Sequence, residues 1–180
     1  DHVTENAMSS YFCISFQFLD SAFHGFRDRG KNEWPPSPLR VFQSLVAAAA
    51  ALQRLQDASP ALTWLENQAA PIVIAPIPLS TSEKAPGYCL SVPNNAMDII
   101  ARAWCRGNYS NSGDANPSTH RTMKTVRPIL LPADASVYYL WNISNNITED
   151  IRDYLEELSD TAQSIVALGW GVDMVVGHSE

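Results

Sequence analysis

The feature that most limits the fold is an alternation near the start of the chain. Across residues 11–19, Phe12, Ile14, Phe16 and Phe18 alternate with Cys13, Ser15 and Gln17. A period of two places the four large apolar side chains on one side of a β-strand. Such a face must be covered, so this strand predicts a sheet with a core on one side. The cover is legible further along. Ser37 followed by Pro38 joins a hydroxyl N-cap to a proline at the first helical position, where its missing N–H costs nothing. Leu39, Phe42, Leu45, Val46, Ala49 and Leu52 then recur at helical spacing. They predict a helix to about residue 56, with Pro60 beyond its end. A second helix is predicted over about residues 148–168, N-capped by Thr148, with Glu149 and Asp150 in its first turn, where the helix dipole favours anions. Ile151, Tyr154, Leu155, Leu158, Ala162 and Ile165 form its apolar stripe, and Gly169 its C-cap.

Three further strands are predicted at residues 71–76, 88–92 and 172–176. With the middle of the chain set aside, the order is strand, helix, strand, strand, helix, strand. That is the ferredoxin-like (RRM-like) α+β pattern, an antiparallel sheet with two helices on one face. Residues 94–141 read as an insertion. In it, residues 108–118 form a polar loop, and residues 125–131 pair with 137–141 as an inserted hairpin. Met8 reads as the first natural residue. Residues 1–7 are then an added remnant or an upstream extension, and residues 8–180 form one domain.

Composition narrows the function. No run approaches the roughly 20 apolar residues that span a bilayer, and no signal-peptide pattern opens the chain. Cys13, Cys89 and Cys105 form no C-x-x-C pair and read as free, buried thiols of a reducing, cytoplasmic compartment. The net charge of −7 argues against a general nucleic-acid-binding protein. The charge is uneven, however. Glu149, Asp150, Asp153, Glu156, Glu157 and Asp160 crowd one segment. Arg102, Arg106, Arg121, Lys124 and Arg127 face a single acid, Asp114, in another. Arg27, Arg29, Lys31 and Arg40 form a second basic cluster. Basic loops on an acidic body suit one specific RNA bound inside an assembly.

Three segments carry a resemblance. They are Glu33-Trp34-Pro35-Pro36-Ser37-Pro38-Leu39-Arg40 running into Phe42-Gln43-Ser44-Leu45; Lys124-Thr125 leading through Ile129-Leu130-Leu131-Pro132 to Tyr138-Tyr139-Leu140-Trp141; and Ala167-Leu168-Gly169-Trp170-Gly171-Val172-Asp173. In this order they resemble the N-terminal, Cas-five-like half of the fused Cas-five/Cas-six RAMP protein of type I-G (formerly I-U) CRISPR systems. The resemblance implies an RRM-like fold and a role in antiviral defence. It implies a subunit of a Cascade-like type I complex that holds the 5′ handle of the CRISPR RNA and caps one end of the backbone filament. Other subunits of the complex are the implied partners. The nuclease is expected in a C-terminal half that this chain lacks.

The candidate RNA-binding residues are Arg27, Arg29, Lys31, Trp34, Arg40, His120, Arg121, Lys124 and Arg127. Each has a plainer reading. Trp34 either stacks on a base or packs on the sheet, and the prolines around it set the entry of the helix. Arg40, a cation near a helix N-terminus, meets phosphate or pairs with Glu33. Arg27, Arg29 and Lys31 track a phosphate backbone or form a solvated loop. His120, Arg121, Lys124 and Arg127 belong to an RNA-ordered loop or to an ordinary basic hairpin. His24, His120 and His178 lack ligand spacing, so no metal or other cofactor is expected. No acid–base pair is legible, so no catalytic residue is assigned. The alternatives are an endoribonuclease acting on precursor RNA and a ferredoxin-like protein-interaction domain with no RNA role.

Overall fold

The computed structural model describes residues 10–27, 31–81, 86–93, 97–109, 113–143 and 147–180. Arg29 and residues 1–7 lie outside them. Strand β1 (Ser10–Phe18) occupies the centre of a four-stranded sheet. It pairs antiparallel with β10 (Val175–Ser179) on one side and with β9 (Ser136–Ile143) on the other, and β9 pairs with β5 (Ile72–Ile74). The sheet order is therefore β10-β1-β9-β5. Helix α1 (Pro38–Ala51) lies between β1 and β5 in the chain, and α4 (Glu149–Gln163) between β9 and β10. This is the ferredoxin-like arrangement, with the fourth, first, third and second strands of the motif side by side.

The alternation in β1 produces the one-sided core. Phe12, Ile14, Phe16 and Phe18 are buried with Val137, Tyr139, Trp141 and Ile143 of β9, and with Val41, Leu45 and Ala49 of α1 and Leu158 and Ala162 of α4. The other face of the sheet leaves Tyr11, Tyr138, Ile72 and Ile74 exposed. Gly177 of β10 permits close packing of α4, because a Cβ there would overlap the Ala162 carbonyl oxygen.

The structure corrects several sequence-based expectations. Helix α1 stops at Ala51, and a separate helix α2 (Leu55–Glu66) follows. The break falls at Gln53, whose φ of 58° puts a non-glycine residue in the left-handed region that usually betrays a helix end by glycine. Pro60 lies inside α2 rather than past the helix. Helix α4 ends at Gln163, so Gly169 is not its cap, and the last strand begins three residues later than predicted. Cys13 is half-buried, whereas Cys89 and Cys105 are exposed.

The third strand of the motif is β9, not residues 88–92. Those residues form β6 (Tyr88–Pro93), which pairs with β7 (Arg121–Val126). The expected hairpin between residues 125–131 and 137–141 does not form. Its second strand takes the central position beside β1, where burial of Val137, Tyr139 and Trp141 decides the pairing.

Residues 86–127 form a compact unit of their own, distinct from the unit of residues 1–85 and 128–180. The smaller unit contains the antiparallel pair of β6 and β7 and, between them in the chain, helix α3 (Met97–Cys105) and two short 3₁₀ turns. Among its described residues, Ile100, Ala103, Ala115, His120 and Val126 are buried. In the larger unit the chain leaves and re-enters as a bridged pair. Ser80 bridges Leu130, the Leu130 N–H donates to the Ser80 carbonyl, and the Leu79 N–H donates to the Leu130 carbonyl. Leu130 belongs to β8 (Ile129–Leu130), which also pairs with β2 (Ala22–Phe23).

Candidate nucleic-acid interface

The Glu33-to-Pro38 segment is built into the core. Trp34 packs against Phe18 and Phe23, with ring centroids 5.5 and 5.4 Å away, and its Nε1–H donates to the Pro76 carbonyl at 2.9 Å. The Trp34–Pro35 peptide is cis. The Pro36 carbonyl accepts from the Tyr139 hydroxyl at 2.7 Å, and Tyr139 is wholly buried. Burial, followed by the nearby Glu33 carboxylate, raises the Tyr139 phenol well above its ordinary range. Ser37 caps α1 by accepting from the Arg40 N–H. The polar atom and the ring of Trp34 are thus both engaged internally.

Arg40 is also engaged. Its Nε donates to Glu33 Oε2 at 2.7 Å, and its Nη2 to the Phe26 carbonyl at 2.8 Å. Glu33 is 8% exposed and also accepts from the Ser37 N–H at 3.0 Å. Burial alone would raise the Glu33 carboxyl. The hydrogen bonds from Ser37 and Arg40 outweigh that penalty and hold it below the usual carboxylate range. An anion at the start of a helix, compensated by the third helical residue, explains why a cation sits where the dipole disfavours it.

Beside this segment lies a cleft of about 740 Å³. Its walls include Phe26, Arg27, Glu33, Leu39, Arg40 and Gln43. Arg27 belongs to β3 (Phe26–Arg27), which pairs with β4 (Lys31–Asn32) so that Arg27 stands directly opposite Lys31. Both are exposed.

In the unit of residues 86–127, Arg121 and Lys124 of β7 and the following Arg127 are exposed. The pleat separates two of them. Arg121 shares a face with Met123 and Thr125, whereas Lys124 lies on the opposite face, across from Leu90. Arg102, at the end of α3, and Arg106 are two further exposed cations of this unit, beyond the candidate RNA-binding residues. His120 is 8% exposed, and its Nε2 has no hydrogen-bond partner among the described residues. It is a core residue of this unit rather than a surface one.

Sequence reasoning also missed a buried cluster. Asp173 accepts from the His24 N–H at 3.0 Å and the Trp170 N–H at 2.7 Å, and its Oδ1 lies 2.6 Å from His24 Nδ1. The His24 ring stacks on Trp170. A Cβ on Gly169 would overlap the Asp173 carboxylate, which accounts for glycine there. No spacing signal could reveal a pair 149 residues apart.

The sequence model of the CRISPR-associated protein, GSU0054 family, matches residues 6–180. The chain belongs to this family. A solved structure of a CRISPR protein from Archaeoglobus fulgidus is similar to this GSU0054-family chain at 14% identity and a TM-score of 0.36, over 96% of this chain and 64% of that one. The chain thus spans less than two thirds of that protein's length. No curated protein matches it. No described helix of this family member is long and apolar enough to cross a membrane.

Proposed function

We propose that this CRISPR-associated chain binds CRISPR RNA and helps to assemble a type I, Cascade-like complex, holding the 5′ handle of the guide. On this reading it is the Cas-five-like half of a fused Cas-five/Cas-six RAMP protein of type I-G systems. The observation that carries the reading is the division of charge between the two compact units. Residues 86–127 hold five basic and two acidic residues, a net charge of +3. The remaining residues hold seven basic and seventeen acidic residues, a net charge of −10. Repulsion by the acidic body disfavours indiscriminate binding of polyanions, and a confined basic unit favours one RNA segment.

The test is the affinity of labelled single-stranded repeat RNA across a salt series. It compares the wild type with a variant carrying Arg121→Ala, Lys124→Ala and Arg127→Ala. For each cation that no longer meets a phosphate, the slope of log affinity against log salt should fall by about 0.7. An unchanged affinity and slope would refute the assignment to this unit. Cleavage of the RNA would favour the endoribonuclease alternative.

A further inference from the structure

We infer that the cleft between β3 and α1 is a pocket for one unstacked nucleotide, with its base on the Leu39 and Gln43 side and its phosphate at Arg27 and Lys31. The inference rests on the RNA-binding reading above and assigns a subsite to it. Three observations support it.

The first is the cross-strand pair. Residues directly opposite in an antiparallel ladder hold their Cβ atoms about 5 Å apart, and like charges there destabilise the pairing. Arg27 and Lys31 are such a pair, in a ladder of only two residue pairs. A bound dianionic or monoanionic group relieves the repulsion, and a phosphate oxygen can accept from both side chains at once.

The second is the local balance of charge. The larger unit carries −10 overall, yet among the described residues the cleft walls set Arg27 and Arg40 against one acid, Glu33. Glu33 is already committed to Arg40 and Ser37, so Arg27 has no share of it. The cleft is a cationic spot on an acidic surface.

The third is the wall formed by α1. Leu39 is 64% exposed on the first turn of α1, so its side chain is open to an apolar contact. Gln43 lies one turn on, exposed, and its amide can donate to and accept from a base edge. The volume is within the range of sites that take small ligands, about 300–1,000 Å³.

The experiment scans a labelled single-stranded repeat oligoribonucleotide with one abasic nucleotide at each position in turn. The proteins are the wild type and a Leu39→Asp, Gln43→Ala variant, whose two positions are exposed and whose fold is checked by circular dichroism. The inference expects one abasic position to weaken wild-type binding about tenfold, through the lost apolar contact with Leu39 and the lost hydrogen bond to Gln43. That position should matter by less than about twofold in the variant, because the interaction it removes is already gone. Identical abasic profiles for both proteins would sink the pocket and leave the RNA-binding reading intact. A wild-type chain that binds no RNA would overturn both.

Discussion

His24 and Asp173 lie 149 residues apart, and the carboxylate of Asp173 holds both the backbone N–H and the ring Nδ1 of His24. It also holds the Trp170 N–H, so one buried acid ties the loop after β1 to the turn before β10. Asp173→Ala strands two backbone donors and a ring nitrogen. The variant should lose at least about 2 kcal/mol of stability. The expected result is a lower urea midpoint at an unchanged m-value.

Tyr139→Phe tests the link between the sheet and the start of α1. It removes a hydroxyl and leaves the Pro36 carbonyl without that donor. The expected cost is about 1–2 kcal/mol, read from the same urea titration.

The Glu33 carboxyl gives the fold a dependence on acid. Its folded pKa lies below its unfolded value. The stabilisation it contributes is therefore complete above the ordinary carboxylate range and fades as pH falls through the lower, folded value. Wild type should lose stability relative to Glu33→Gln as the pH is lowered from about 6 to 3. Parallel curves for the two proteins over that interval would show that Glu33 contributes no such linkage.

Trp34→Phe separates structure from binding. It keeps a ring in the cluster with Phe18 and Phe23 but removes the donor to the Pro76 carbonyl. Stability should fall by about 1 kcal/mol. RNA affinity per folded molecule should not change. A large drop in affinity with intact folding would return Trp34 to the RNA-binding surface.

Thiol reactivity reports on the three cysteines. Cys89 and Cys105 are exposed and should react promptly with an aromatic disulfide reagent at pH 8. Burial, and then the Glu180 carboxylate, raise the Cys13 thiol, so less of it is thiolate and it should react more slowly. Three equal rates in the folded protein would contradict the burial of Cys13.

What the sequence revealed, and what it hid, follow from where each signal is stored. The period of two in β1 was visible because one face meets the helices and the other does not. Ser37 and Pro38 marked the start of α1 because capping is local chemistry. The end of α1 was hidden because Gln53, not glycine, adopts the left-handed conformation. The strand character of residues 137–141 was readable, but its partner was not, because β1 lies more than a hundred residues away and pairing is decided by burial. Trp34 and Arg40 both make internal contacts, with the Pro76 carbonyl and with Glu33; the sequence offered the second pairing, but the first joins residues 42 apart and left no local signal.

The bridge between Ser80 and Leu130 has a consequence for how such chains can diversify. It closes the base of the excursion with backbone bonds that do not depend on what lies between. Loop-closure entropy grows only with the logarithm of length, by about 0.6 kcal/mol per doubling. The sheet therefore tolerates insertions, deletions or wholesale exchange of the cationic module beyond the bridge at little thermodynamic penalty. Selection can remodel that unit while β1, β9 and their helices stay as they are.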